Sequence, residues 1–132
     1  MVDIDGTVAL MGARSPYDEH LVGQDLPNLA VIAAVRAMHA AGHQVLFCSG
    51  RTDGCRPATE KWLAEHVGVP HAGLFMRSRG DQRKDSIVKR EIFDRHIRHA
   101  WQVVAVFDDR QQVVDAWREL GLTVFQVAPG NF

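Results

Sequence analysis

Val103 to Val127, VVAVFDDRQQVVDAWRELGLTVFQV, reads as a strand, a helix and a second strand in succession. Val103 to Phe107 is a Val-rich run of the kind that fills central parallel strands. Arg110 to Leu120 places Val113, Val114 and Trp117 on one helical face, and Gly121 closes that helix. Leu122 to Val127 returns as a strand. The same alternation extends towards the amino terminus. A helix is expected over Asp85–His99, a strand over Gly73–Met76 (GLFM), a helix over Thr59–His66 and a strand over Gln44–Cys48 (QVLFC). A further helix runs from about Asn28 to Ala41, with Leu29, Ile32, Ala33, Val35 and Met38 as its apolar face. Asp25 is its expected cap, Pro27 lies in its first turn, and Gly42 stops it. Val2 to Ile4 is the first strand, and residues 6–24 read as a loop or short hairpin.

Strands separated by helices of about ten to fifteen residues imply βαβ units and a parallel sheet. Right-handed crossovers place helices on both faces of such a sheet. Its ligands bind beyond the carboxyl ends of the strands. Every active residue should therefore fall just after a strand.

The chain has 132 residues, 46% of them apolar and 23% charged, which fits one soluble domain with its own core. Its formal net charge of −1 supplies no global field for nucleic acid or an anionic membrane, so such binding needs a local patch. Cys48 and Cys55 form neither a CxxC pair nor a zinc pattern, and a reduced, intracellular setting is the default. No apolar run approaches membrane-spanning length, and no signal peptide precedes the first motif. Only Met1 and Val2 precede Asp3, which is short for a central strand. The expectation is a chain trimmed or released from something longer.

Four clusters fall at strand ends or reach towards them. Asp3-Ile4-Asp5-Gly6-Thr7 follows the first strand, Ser49-Gly50-Arg51 the second, and Asp108-Asp109-Arg110 the Val-rich one. Lys89 reaches in from a helix, one turn after Asp85. Residues i and i+2 of a strand share a side, so Asp3 and Asp5 should converge on one point. Two carboxylates so close need a cation or a shared proton. Magnesium suits oxygen ligands, and Asp3, Asp5, Asp108 and Asp109 are its expected holders. Asp3 can attack phosphorus as a nucleophile. Asp5 can protonate the leaving oxygen and then activate water. Ser49, with Gly50 and Thr7, can bond the phosphoryl oxygens, and Lys89 can neutralise their charge.

These motifs resemble the haloacid dehalogenase superfamily of phosphatases, whose pattern is DxDGT, a small hydroxyl residue after the second strand, a helix lysine and a paired acidic motif. GARSPYD (12–18), SGR (49–51), GDQRKDSIVKREI (80–92), FDDR (107–110) and FQVAPGNF (125–132) resemble, more narrowly, the 3′-phosphatase domain of bacteriophage-type polynucleotide kinase/phosphatase. The resemblance implies a Rossmann-like three-layer α/β/α sandwich with a central parallel sheet. It implies magnesium as cofactor and removal of 3′-phosphates from DNA or RNA ends in nucleic-acid repair. It assigns Arg14 and Arg51 to the phosphatase site and Asp85 to orienting Lys89 or an arginine. A cytoplasmic, phage-encoded setting would agree with it. No GxxxxGK[ST] loop is present, so these residues carry no expectation of kinase activity. The chain reads as one domain, 1–132, either stand-alone or the carboxyl-terminal half of a longer kinase/phosphatase. A 5′-kinase partner, fused or separate, is compatible with both, and oligomeric state is left open.

About eighteen residues separate the first strand from the first helix, too few for a bulky cap domain, so the site should be open to a polynucleotide end. Between Arg77 and Arg98, eight Lys and Arg face four Asp and Glu. Arg95 and Arg98 read as a solvated helix face. Arg77 to Lys84, including Arg83, read as contacts to the nucleic-acid backbone. Trp62, Trp101 and Trp117 read as core, not as a stacking platform, and none of the seven histidines has metal spacing. Asp53 reads as turn chemistry, and His20, Tyr17 and Asp18 sit in the first loop. Two other functions compete: the same chemistry on small phosphate monoesters, and a catalytically idle domain that binds nucleic acid or protein.

Overall fold

Alternation along Val45–Cys48 sets the layering. Val45 and Phe47 pack with Val31, Ile32 and Val35 and with Trp62 and Leu63. Leu46 and Cys48 pack with Val88, Ile92 and Ile97 and with Val113 and Trp117. An extended strand sends neighbours to opposite faces, so each face of the sheet buries a core of its own under two helices. The result is the expected three-layer α/β/α arrangement.

The computed structural model describes residues 1–12 and 14–132; Ala13, within the GARSPYD stretch, lies outside the described residues. In chain order the elements are β1 (Ala9–Leu10), β2 (Leu26–Pro27), α1 (Leu29–Ala40), β3 (Leu46–Thr52), α2 (Arg56–His66), β4 (Gly73–Arg77), α3 (Asp85–Ile92), β5 (Val106–Asp108), α4 (Gln111–Glu119) and β6 (Val124–Gln126). β3 pairs with β4 and β5 with β6, both parallel. Val2 joins the two pairs, bridging Phe47 on one side and Phe107 on the other, again parallel. Its N–H donates to the Leu46 carbonyl at 2.8 Å, and the Asp3 N–H donates to the Phe107 carbonyl at 2.9 Å. The sheet order is thus β4, β3, the Val2 segment, β5, β6, with the chain's start at its centre.

Several boundaries differ from expectation. β3 runs on through Ser49, Gly50 and Arg51, with an irregularity in its register between Ser49 and Thr52. The Ser-Gly-Arg motif therefore ends the strand rather than following it. β5 begins at Val106, and Val103 to Ala105 stay outside the ladder. α2 begins at Arg56, with Pro57 in its first turn, where a missing N–H costs nothing. Cys55, expected in a loop, is buried ahead of that helix. The helix expected over Asp85–His99 closes its α-form at Ile92 and continues as a π turn over Phe93–Ile97. That turn keeps Phe93 and Ile97 buried. Asp25 does not cap α1 but closes a 3-10 turn over Glu19–Gln24, and Pro27 lies in β2, so α1 starts after Asn28. β2 pairs antiparallel with β1, which makes a short flap of the region expected as a loop or hairpin. No helix among the described residues is long and apolar enough to cross a membrane.

Candidate active site

All the strand ends that carry chemistry meet at one edge of the sheet. Asp3 follows Val2, and Asp108 ends β5 with Asp109 behind it. Among the described residues, Asp3, Asp108 and Asp109 offer carboxylate oxygens within 4.8 Å of one another, and all three are buried. Lys89, only 1% exposed, enters from the second turn of α3. Its ammonium donates to Asp3 Oδ1 at 2.8 Å and Asp108 Oδ2 at 3.1 Å, and Asp85 Oδ2 lies at 3.6 Å. Thr7 donates its hydroxyl to the other Asp3 oxygen at 3.0 Å. Asp108 Oδ1 accepts the backbone N–H of Asp109 at 2.9 Å, and Asp108 Oδ2 accepts Trp117 Nε1–H at 3.3 Å.

Burial, and next the charge of Asp108, push the Asp3 carboxyl well above its usual range, against the pull of Lys89. Burial also raises Asp109, with Asp108 adding to it. Burial alone would lower Lys89, yet Asp108, Asp3 and Asp85 hold it well above its ordinary value, so it remains an ammonium. Once deprotonated, these three carboxylates against one ammonium would carry two surplus negative charges in a buried space. An all-oxygen donor set with that surplus fits a hard divalent cation.

Asp5 does not join this cluster. The chain turns immediately after the strand: Thr7 N–H and Ala9 N–H both donate to the Ile4 carbonyl, at 3.1 and 2.9 Å, and Gly6 takes φ +78°. The two-residue periodicity is broken there, so the expected convergence with Asp3, and the expected share of Asp5's carboxylate in the metal position, are not what the geometry shows. The carboxylate sits instead between two guanidiniums. Arg51 Nη2 donates to it at 2.7 Å and Arg14 Nη2 at 3.2 Å. A third of the Asp5 side chain stays exposed.

Both arginines are gripped from behind by Asp25, which is 3% exposed. Arg14 donates to it through Nε at 2.7 Å and Nη2 at 2.8 Å, and Arg51 through Nη2 at 2.8 Å. Thr59 accepts the remaining Arg51 Nη1 bond at 3.1 Å, and Trp62 Nε1–H donates to the Asp25 carbonyl at 2.9 Å. Sequence reasoning missed Asp25, because an Asp before Leu-Pro and an apolar run looks like a helix cap. No local pattern signals a partner that is supplied from residues 14 and 51.

Ser49 is buried, and its oxygen accepts the Arg51 N–H at 3.1 Å. A Cβ at Gly50 would overlap the Asp85 carboxylate. Asp85 meets Lys89, Arg77 Nη2 at 3.3 Å and Arg110 Nη1 at 3.7 Å, so it orients a lysine and two arginines together. Arg77 is not free for substrate, since it also donates to the carbonyls of Gly50, Asp81 and Arg83. Arg83 is exposed but paired with Asp81 and Glu91 at 2.8 and 2.7 Å. Lys84 is exposed and joins no ion pair among the described residues. His20 is exposed, Tyr17 is 92% exposed, Trp62 and Trp117 are core, and Trp101 packs at the core's edge. A cavity of about 210 Å³ opens at the opposite end of the sheet, between Met1, Gln44 and Val103; no carboxylate lines it.

This geometry has close relatives. The model of the polynucleotide kinase PNKP phosphatase domain family matches residues 1–132. A protein of Autographa californica nuclear polyhedrosis virus, named "Putative bifunctional polynucleotide kinase/RNA ligase", is 40% identical over 131 residues, covering 96% of this chain and 19% of that protein. A chain in the structure of the Pnkp1/Rnl/Hen1 RNA repair complex superposes with a TM-score of 0.95 at 40% identity, over 99% of this chain and 42% of that one. A second structure of the Pnkp1/Rnl/Hen1 complex gives a TM-score of 0.93 at 40% identity, over 99% of this chain and 46% of its match. This chain thus spans less than half the length of each of these three relatives. It belongs to the PNKP phosphatase domain family, within the haloacid dehalogenase class of phosphatases.

Proposed function

We propose that the protein is a magnesium-dependent polynucleotide 3′-phosphatase that heals DNA or RNA ends, beside a 5′-kinase fused to it or separate. The observation that carries this reading is the division of one DxD pair between two environments. Asp3 lies in the buried acid cluster with Lys89, and Asp5 is partly exposed in a guanidinium clamp. Asp3, held by Lys89 and Thr7, is set for attack, and Asp5, a third of it exposed, is open to the leaving oxygen and to water.

In this reaction an oxygen of Asp3 forms a bond to phosphorus as the bond from phosphorus to the 3′-oxygen breaks. Asp5 delivers its proton to that leaving oxygen. Asp5 then takes a proton from water, whose oxygen bonds phosphorus as the Asp3–phosphorus bond breaks, and phosphate is released. Lys89 and Thr7 hold the two Asp3 oxygens in place during attack. Arg14 and Arg51 aim Asp5 rather than serving only as phosphate clamps. Ser49 and Gly50 line the phosphoryl position. Asp3, Asp108 and Asp109 would hold a magnesium ion, which would neutralise charge on the phosphoryl oxygens. The relatives' names, which concern polynucleotide ends and RNA repair, favour a polynucleotide over a small ester.

The test is phosphate release from a 3′-phosphorylated oligonucleotide, its 5′-phosphorylated twin and p-nitrophenyl phosphate, with and without magnesium. Release from the 3′ end alone, lost in EDTA and lost in Asp3→Asn, is expected. Equal rates on all three substrates would make the protein a general monoesterase. Full activity of Asp3→Asn would end the covalent scheme.

A further inference from the structure

The basic stretch from Arg77 to Lys84 separates, in the structure, into two classes of cation. Arg77 is consumed by Asp85 and by the carbonyls of Gly50, Asp81 and Arg83. It works as an internal strut for the loop joining β4 to α3. Arg83 is consumed by Asp81 and Glu91. Arg79 and Lys84 are exposed, and neither joins an ion pair among the described residues.

The loop is also fixed in position. Arg79 N–H donates to Asp53 Oδ1 at 3.1 Å, which ties it to the turn after β3. Gly80 takes φ +88° at the loop's bend, a conformation that suits glycine. The Arg79 side chain runs beside Gly54. Lys84 immediately precedes Asp85, whose carboxylate closes over Gly50. Two cations without an ion-pair partner among the described residues therefore share this loop, Lys84 next to Asp85 at the candidate site and Arg79 beside the turn that follows β3, and the paired residues tie the loop down.

We infer that Arg79 and Lys84 form a phosphodiester rail, which holds the backbone of a polynucleotide upstream of the terminal phosphate in the candidate site. This rests on the function proposed above and names the feature that would set a polynucleotide apart from a phosphorylated mononucleotide. Cations already paired with acids contribute little to phosphate binding, because an existing ion pair must first be given up. Free cations release counterions from the backbone and so make binding steeply salt-dependent. Asp53, turn chemistry in the sequence, gains a role as the peg that places Arg79.

The test compares wild type with Arg79→Ala, Lys84→Ala and the double variant. Arg118→Ala, at the far end of α4, controls for loss of one charge. Two readouts are taken across a salt series. One is kcat/KM for a 3′-phosphorylated DNA oligonucleotide against thymidine 3′-monophosphate. The other is fluorescence anisotropy of the same oligonucleotide ending in a 3′-hydroxyl. Each single variant is expected to flatten the plot of log affinity against log salt by about 0.7 for single-stranded DNA, and the double variant by about 1.4. KM for the oligonucleotide should rise, and the mononucleotide's constants and the Arg118→Ala values should stay at wild type. Unchanged salt slopes in the double variant, with 3′-phosphate release intact, would overturn the rail and leave the reaction standing. Equal losses on both substrates would also overturn it. Absence of phosphate release from wild type, with salt-dependent binding still lost in the rail variants, would sink the reaction and support the rail.

Discussion

Asp25 shows how a residue outside every motif can govern one inside. It makes three bonds to Arg14 and Arg51, and those two guanidiniums hold Asp5. Asp25→Asn keeps the shape but removes the charge and part of the acceptor capacity. The arginines then lose their fixed angle, and Asp5 with them. Misplacement of this kind costs about 10²-fold in rate, so kcat should fall by about that factor while the fold persists. Steady-state kinetics alongside a circular-dichroism melt check it; an unchanged kcat would separate Asp25 from Asp5's function. Gly6 makes a second case. Its φ of +78° is left-handed, and a Cβ there would overlap the Asp109 carboxylate. Gly6→Ala pays about 1–2 kcal/mol for the backbone and displaces Asp109 as well. Magnesium activation should therefore suffer more than stability, which a magnesium titration of activity set against urea unfolding would show.

At the level of elements, the sequence disclosed the order of strands and helices because apolar periodicity is local. It also placed Asp3, Ser49 and Asp108 at the right edge, because ends of parallel strands share an edge. It did not disclose the length of β3 or β5, since pairing partners decide where a ladder stops. Nor did it disclose that Asp3 and Asp5 part company: the turn at Ile4 is set by two N–H groups donating to one carbonyl, whereas the i, i+2 rule assumes an unbroken strand. Helix α4 was legible in both pattern and consequence. Val113, Val114 and Trp117 are at most 1% exposed, and Trp117 also reaches Asp108 through its indole N–H. Core and site are therefore joined through one side chain, and two substitutions separate the roles. Trp117→Ala should cost about 3–5 kcal/mol as a buried large-to-small change. Trp117→Phe keeps most of the volume and removes the donor, for about 1–2 kcal/mol. It should also weaken magnesium activation about 10-fold, since the partners that orient a ligand set its affinity. Urea unfolding and magnesium titration of both variants test this, and equal magnesium affinity in wild type and Trp117→Phe would disconnect the helix from the site.

For the whole molecule, the acid cluster couples stability to pH and to metal. Asp3 and Asp109 are raised above the ordinary 3.8, chiefly by burial. Above that value the unfolded chain has released protons that the folded chain still holds. Stability is therefore lost as pH rises through the folded values of these groups. Lys89 is raised above 10.5, so it stays charged across the neutral range and adds no slope there. Magnesium bound at the cluster, as the proposed function requires, would replace those protons. The midpoint gained on adding magnesium should therefore grow as pH is raised from the acidic into the neutral range, because fewer protons then compete with the cation. Asp109→Asn, which removes one carboxylate from the cluster, should reduce both the loss of stability in EDTA and the gain from magnesium. Calorimetric melts in EDTA and in magnesium, across that range and for both proteins, provide the measurement. Parallel EDTA and magnesium curves would mean that the cluster neither stores protons in the folded state nor binds the cation.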